Sequence, residues 1–153
     1  MRVSKFNVSK DKSDRTCDNI VFDSVLEMKY YRDVILPKCD SKKIKHFERQ
    51  KKYILQPSYM LNSKKVQPII YKADFYIVYS DGREEVIDIK GCPDAVAKLK
   101  KKMFGYIYPK ITYLWMSFSR TDGGWLNYED IQKARKLRKK TKKGNKKEIK
   151  DNE

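Results

Sequence analysis

The sequence predicts an α/β fold in which a mixed sheet carries helices on both faces. Segments with helical and strand periodicity follow one another in the order α-β-β-β-α-β-α. The two hairpin strands near the middle are apolar on both faces, as expected for strands that are covered on both sides. A helical segment separates the second hairpin strand from the next strand, and such a crossover joins parallel strands.

The first half of the chain supplies one helix and three strands. DSVLEMKYYRDVIL predicts a helix that begins with a capping box of Ser24 and Glu27. KKYILQPSY predicts a short strand that Pro57 stops or bends. Two hairpin strands are then predicted near residues 69–79 and 83–90.

The second half completes the pattern. DAVAKLKKKMFGYIY predicts a helix that ends before Pro109, and ITYLWMSF predicts a third buried strand of the sheet's centre. NYEDIQKARKLRKKTKKG predicts a basic last helix. We therefore expect a loose N-terminal arm at residues 1–19, one folded domain at residues 20–140 and a basic disordered tail at residues 141–153.

The hairpin KADFYIVYSDGREEVIDIKG places two carboxylates in strands, which disfavour them. A three-residue loop at residues 80–82 would put Asp74 opposite Asp88, on one face with Lys90. A two-residue loop would send Asp88 to the other face. Like charges across a ladder repel, and a divalent cation between them would reverse that interaction. The alternative is two solvated acids on a half-exposed strand.

Other polar residues stand in apolar surroundings. Glu27 falls within the apolar sector of the first helix, where a buried carboxylate needs a partner, although capping alone would also explain it. Lys100 lies among the apolar residues of the second helix, either as a functional lysine or as one that snorkels along the core edge. Gln56 ends a strand before a proline, where its side-chain amide can hydrogen-bond either to a ligand or to the backbone. With the neighbouring Lys102, Lys100 and Gln56 are candidate substrate contacts.

Composition favours a polyanionic partner. The 153 residues include 36 Lys or Arg against 20 Asp or Glu, for a net charge of +16. Residues 133–150 alone contain eleven Lys or Arg, which suits sequence-independent phosphate contacts. No apolar run approaches a membrane span and the N-terminus lacks a signal-peptide core, so we expect a cytoplasmic protein without membrane contact.

The chain has few histidines and cysteines, which limits the metal sites and the nucleophilic catalysis that it can support. His46 is the single histidine, and Cys17, Cys39 and Cys92 are widely spaced. This supply argues against a structural zinc site, and it excludes Ser-His or Cys-His nucleophile chemistry.

Glu27, Asp74 and the sequence Asp88-Ile89-Lys90, together with the element order, resemble the PD-(D/E)XK nuclease superfamily. The stretches FDSVLE, LQPSY, YKADF, DIKG and LKKKMF further resemble a group of small phage-encoded members of that superfamily. The resemblance covers about residues 20–118. Ala73 stands where the family's first motif often has a proline.

The resemblance implies a restriction-endonuclease-like core, α-β-β-β-α-β, and a metal-dependent DNA endonuclease. Asp74, Asp88, the Ile89 carbonyl and Glu27 would hold Mg²⁺, for which Mn²⁺ would substitute. Lys90 would bind the phosphate and orient or deprotonate the attacking water. The phage group further implies branched DNA such as a Holliday junction, a role in phage recombination or DNA processing, a homodimer, and the cytoplasm of a bacterial host.

Two alternatives stay open. One is a nucleic-acid-binding or assembly protein on an inactive nuclease-like fold, and its charge and tail would look the same. The intact set of Glu27, Asp74, Asp88 and Lys90 argues against it. The other is a transposon-type or defence-type nuclease, which keeps the chemistry and changes the biology.

Overall fold

The structure is a computed structural model that describes the backbone of residues 11–150 and the side chains of residues 11–141. The strands are β1 (Thr16–Cys17), β2 (Ile20–Val21), β3 (Ile44–Arg49), β4 (Lys52–Gln56), β5 (Tyr59–Leu61), β6 (Lys64–Val66), β7 (Ile69–Lys72), β8 (Phe75–Tyr79), β9 (Glu84–Ile89), β10 (Thr112–Ser119) and β11 (Gly124–Asn127). The helices are α1 (Val25–Tyr30), α2 (Leu36–Asp40), α3 (Ala95–Ile107) and α4 (Tyr128–Lys150). These elements confirm an α/β fold.

A mixed sheet of five strands, in the order β11-β10-β9-β8-β3, forms the centre of the molecule. Strands β9 and β10 are parallel, as expected for strands joined by a crossover through α3, and the other pairs are antiparallel. Helix α1 packs on one face of the sheet through Tyr30, and α3 packs on the other through Phe104. Helices therefore cover both faces, as predicted.

The hairpin of β8 and β9 has the predicted register. Tyr76 lies opposite Val86, and the Tyr79 N–H donates to the Arg83 carbonyl at 2.9 Å. Gly82 closes the loop with φ of 86°, a left-handed conformation that glycine adopts without strain. The two-residue loop is thereby excluded, and Asp74 and Asp88 belong to the same face.

The strands before this hairpin differ from the prediction. The first strand of the main sheet is β3, which the sequence pattern missed. The KKYILQPSY strand is β4, and it pairs with β7 in a separate two-stranded sheet. The single strand expected at residues 69–79 is broken at Ala73 and Asp74, because the Ala73 N–H turns to the Lys51 carbonyl and the Asp74 carbonyl accepts from Gln50. A short hairpin of β5 and β6 lies between β4 and β7 in the chain.

The first helix begins at the predicted cap and continues beyond its predicted end. The Ser24 hydroxyl accepts a hydrogen bond from the Glu27 N–H at 3.1 Å. A π-helical turn at Tyr31–Ile35 joins α1 to α2. The wide turn ends two residues before Pro37, which has no N–H for the carbonyl of Asp33 and crowds that carbonyl with its ring.

The described parts of the terminal segments contain regular structure, although a loose arm and a disordered tail were expected. Residues 11–19 of the arm include strand β1, which pairs with β2 through a tight turn in which Asp18 and Asn19 have φ of 51° and 61°. Helix α4 continues to Lys150, through most of the segment predicted as a tail. Residues 1–10 and 151–153 lie outside the described residues, so the outer parts of the arm and tail stay predictions.

Candidate active site

Four of the predicted residues lie around the start of β8 and the end of β9. Asp74 sits at the break before β8, Asp88 is the fifth residue of β9, and Lys90 directly follows that strand. Glu27 reaches the same region from α1. Glu27 is 8% exposed and Asp88 is 2% exposed, so two of the carboxylates are taken almost wholly out of water.

Asp88 is held by two tyrosines that the sequence did not single out. The Tyr71 hydroxyl donates to Asp88 Oδ1 at 2.5 Å, and the Tyr113 hydroxyl donates to Oδ2 at 2.6 Å. Burial first, and then the negative charge of Asp88, raise the pKa of both hydroxyls. The tyrosines therefore remain protonated donors, and each Asp88 oxygen keeps a second lone pair for another partner.

Asp74 is a carboxylate whose pKa is raised above the usual value, so it holds its proton more tightly than an exposed aspartate. Its Oδ2 atom accepts a hydrogen bond from the Ile89 N–H at 2.8 Å. Burial, then the negative charges of Glu27 and Asp88, raise the pKa of Asp74 to about 8. Two neighbouring acids therefore act on Asp74, and a proton or a cation at Asp74 would offset the accumulated negative charge.

Glu27 serves the helix cap and also faces this cluster. Its Oε1 atom accepts from the Ser24 hydroxyl at 2.9 Å, which agrees with the capping explanation. Its side chain lies on the packed side of the helix, and burial raises its pKa. Its charge acts on Asp74 as well. Capping and a place beside the acids are therefore compatible.

Lys90 supplies the positive charge next to Asp88. Its Nζ atom lies 3.4 Å from Asp88 Oδ2, and its side chain is 31% exposed. The ammonium thus stands between the buried carboxylate and the surface, where a phosphate can reach it. Ile89 lies between the two on the chain and packs its side chain on the opposite face of the sheet, against the cluster of Tyr30 and Phe75. The part of its carbonyl in metal binding stays a prediction.

Two of the three candidate substrate contacts donate to backbone carbonyls, and the third is exposed. The Gln56 amide donates to the adjacent Pro57 carbonyl at 3.4 Å, and the Lys100 ammonium donates to the Ile70 carbonyl at 2.8 Å. Lys102 is exposed on α3. The neighbouring Lys101 lies closer to the site, with its Nζ 4.2 Å from the Trp115 ring centre.

The donor set suits a hard divalent cation only in part. Carboxylate oxygens are the ligands that Mg²⁺ prefers, and one or two carboxylates with water and substrate phosphate commonly complete its shell. Among residues 11–141, however, no three Asp, Glu, His or Cys side chains are grouped so that they would hold a metal ion together. The residues thus fit a cation shared by Asp74 and Asp88, with water or phosphate as the remaining ligands.

Sequence reasoning missed Tyr71 and Tyr113 because buried tyrosines are ordinary core residues. A weak signal was present in the topology: ITYLWMSF was expected to lie beside the Asp88 strand, and Tyr113 does pair with Val86 there. A tyrosine on a strand next to a buried acid is a candidate donor, since its hydroxyl needs a partner.

A cavity of about 620 Å³ lies away from these residues. It is at the loop end of β8 and β9, where Ser80, Arg83, Lys42 and Lys43 contribute to its lining. None of the four candidate residues lines it.

Residues 3–122 match the family described as "Protein of unknown function (DUF1064)", and the chain belongs to that family. No curated protein and no solved structure matches the chain significantly. Within the described residues, none of the helices combines the length and the apolar character needed to cross a membrane.

Proposed function

We propose that the protein is a metal-dependent endonuclease that hydrolyses phosphodiester bonds in DNA. The observation that carries the proposal is the grouping of two carboxylates with a lysine: Asp74 Oδ2 accepts from the Ile89 N–H at 2.8 Å, and Lys90 Nζ lies 3.4 Å from Asp88 Oδ2. Burial and the charges of Glu27 and Asp88 raise the pKa of Asp74, which agrees with this grouping. Carboxylates that repel one another in a buried setting, with a lysine beside them, are typical of catalytic sites.

Each residue has a defined part in the proposed reaction. Asp74 and Asp88 would hold Mg²⁺, or Mn²⁺ in its place, with the Ile89 carbonyl as a further ligand, and Glu27 would add its negative charge beside Asp74. When bound, the cation polarises the attacking water and offsets the charge on the phosphate. Lys90 holds the scissile phosphate and orients the water, because its ammonium is bonded to Asp88 at the edge of the site.

The arrangement of the main sheet supports the same proposal. The helical segment of α1 and α2 and the elements β3, β8, β9, α3 and β10 have the order helix, three strands, helix and strand, with strands β4 to β7 inserted between β3 and β8. That is the order of the restriction-endonuclease-like core that the sequence resembles. The proposal assigns Asp74, before the second of these strands, to the first motif of that core, and Asp88 and Lys90, at the end of the third, to the second motif.

The finer proposal concerns the substrate and the assembly. The charge of +16 suits a contact with phosphates along the whole surface, and the resemblance points to branched DNA such as a Holliday junction in phage recombination. A symmetric cut in two strands needs two active sites, so a homodimer in the cytoplasm of a bacterial host belongs to this proposal.

A second candidate is a DNA-binding protein without catalysis. The observation in its favour is that both Asp88 oxygens already accept tyrosine hydroxyls, at 2.5 and 2.6 Å. A carboxylate satisfied in this way is stable without a metal, as in a fold that has kept its acids for structure.

Labelled linear, flap and four-way-junction DNA distinguish the two candidates when each is incubated with Mg²⁺, Mn²⁺ or EDTA. We expect cleavage with either metal, none in EDTA, and none by Asp88→Ala, whose DNA binding should be retained or strengthened because an acid near phosphate is gone. Asp130→Ala, which removes an exposed acid of α4, should cleave normally. Undiminished cleavage in EDTA or by Asp88→Ala would falsify the mechanism, and binding without cleavage would establish the second candidate.

A further inference from the structure

The hairpin of β5 and β6 exposes apolar side chains that the fold does not use. Tyr59, Met60 and Leu61 are 46%, 64% and 53% exposed and follow one another along β5. None of residues 59–66 belongs to either core cluster. Three consecutive large apolar residues exposed in this way point to a partner, because each leaves apolar surface in water.

The hairpin has a defined shape. Asn62 and Ser63 form its turn with φ of 47° and 61°, so both take the left-handed conformation of a tight two-residue loop. At roughly 3.3 Å per residue, each three-residue strand is about 10 Å long. Pro57 and Pro68 separate the hairpin from the sheet of β4 and β7, because proline cannot donate to a ladder.

The hairpin is joined to the candidate active site through β7. That strand carries Tyr71, which donates to Asp88, and it ends two residues before Asp74. Its far end is fixed by the hydrogen bond from the Ala73 N–H to the Lys51 carbonyl, at 2.9 Å. The exposed apolar residues therefore lie on one continuous ribbon, residues 51–72, which leads to Asp74 at the strand break that follows.

The charge of this ribbon selects the partner. Residues 51–72 contain five lysines and no aspartate or glutamate. Two of the lysines are in the hairpin itself, where Lys65 lies opposite Met60 and Lys64 lies opposite Leu61. Apolar side chains flanked by lysines suit opened nucleic acid, which offers exposed base faces beside phosphates. A second copy of the same ribbon would meet it with five like charges.

We propose that the β5–β6 hairpin is a wedge that enters the opened base stack at the branch point of DNA. Tyr59 and Leu61 share one face of β5, where Tyr59 stacks on an unpaired base and Leu61 fills the gap beside it. Met60 covers the opposite side of the wedge, and Lys64 and Lys65 contact the flanking phosphates. The inference rests on the proposed function for its substrate. It deepens that function, since the wedge would hold a branch point on the ribbon whose strand β7 leads to Asp74.

The test uses full-length protein in EDTA, so that binding is measured without cleavage. A four-way junction carries 2-aminopurine at the branch point, and a linear duplex carries the same probe. The test variant combines Tyr59→Thr, Met60→Thr and Leu61→Thr, which removes apolar surface but keeps a strand-forming residue at each position. Ile54→Thr is the matched control, because Ile54 is 55% exposed on β4 of the same ribbon.

We expect the wild type and Ile54→Thr to raise 2-aminopurine fluorescence on binding the junction. The triple variant should lose this rise and bind the junction about tenfold more weakly, with linear duplex affinity changed by less than about twofold. Circular dichroism melting verifies that all three proteins are folded.

Three results would overturn the wedge. In the first, the junction binds without a fluorescence change, or the triple variant keeps both the rise and the affinity. In the second, the triple variant changes from dimer to monomer in ultracentrifugation, which would assign the hairpin to a second copy. In the third, the wild type binds neither DNA, which would also remove the proposed substrate. Because EDTA is present, a protein that binds DNA without ever cleaving it leaves the wedge intact and overturns only the endonuclease.

Discussion

At the scale of single residues, the candidate site combines acids that repel one another with groups that keep them in place. The two tyrosines fix Asp88, and the Ile89 N–H fixes Asp74. Among residues 11–141, Asp88 forms its ion pair with Lys90. This imbalance makes the site sensitive to pH and to the loss of single hydrogen bonds, which leads to two predictions.

We expect Tyr71→Phe to destabilise the protein by about 1–3 kcal/mol, because it removes a charge-assisted hydrogen bond from the buried Asp88 carboxylate. Tyr53→Phe is the control within the same aromatic cluster. The Tyr53 hydroxyl is buried with no hydrogen-bond partner among the described residues, so its removal should cost almost nothing or stabilise. Urea unfolding of both variants measures the difference. Equal free energies of unfolding would show that the Tyr71 bond contributes no net stability.

The second prediction concerns pH. The pKa of Asp74 is raised to about 8 in the folded chain, so between about pH 4 and pH 8 the folded chain holds a proton that the unfolded chain has lost. Stability should fall as pH rises through this window, by up to about 1.4 kcal/mol per pH unit. Asp74→Asn cannot ionise and should lose this slope. Unfolding in EDTA at pH 5, 6, 7 and 8 compares the two proteins, and parallel curves would contradict the raised pKa.

At the scale of elements, the parts that the sequence predicted well are those with a strong local cause. The loop at Gly82 determined the register of β8 and β9, and with it the common face of Asp74 and Asp88. Strand β3 escaped prediction because it is an edge strand, IKHFER, whose polar residues show no apolar alternation. The site was predictable as far as its acids and lysine, since their types are unusual in strands. Its tyrosines became visible only once the strands were assembled.

The contribution of the Gly82 loop, which sets the register of β8 and β9, can be tested by substitution. Gly82→Ala should destabilise the protein by about 1 kcal/mol, because a side chain is strained at φ of 86°. Gly105→Ala is the matched comparison. That glycine lies within α3 with open space around the added carbon, so alanine should stabilise by about 0.5–1 kcal/mol. Thermal unfolding gives both values, and a loss at Gly105 equal to that at Gly82 would rule out the conformational explanation.

At the scale of the whole molecule, the basic C-terminal helix is distinct from the part that defines the family. The family match ends at residue 122, and α4 begins at Tyr128. Ile131 anchors the helix to the core at 1% exposure. Farther along, the Arg138 guanidinium holds Asp122 and lowers the pKa of that carboxyl to about 2. A truncation that keeps Arg138 therefore removes basic residues without removing this anchor.

We expect truncation after Arg138 to weaken DNA binding and flatten its salt dependence while the domain stays folded. Residues 139–153 carry seven lysines against three acids, and Ile149 is their one large apolar residue. For every phosphate that the shortened protein no longer neutralises, the log–log salt slope should fall by roughly 0.9 on duplex DNA. Preference for junction over linear DNA should survive, because the folded surface and its hairpin supply it. The measurement is the affinity for junction and linear DNA at several salt concentrations, with and without residues 139–153. An unchanged slope would show that these lysines do not touch phosphate, and a loss of junction preference alone would move shape recognition from the fold to the C-terminal segment.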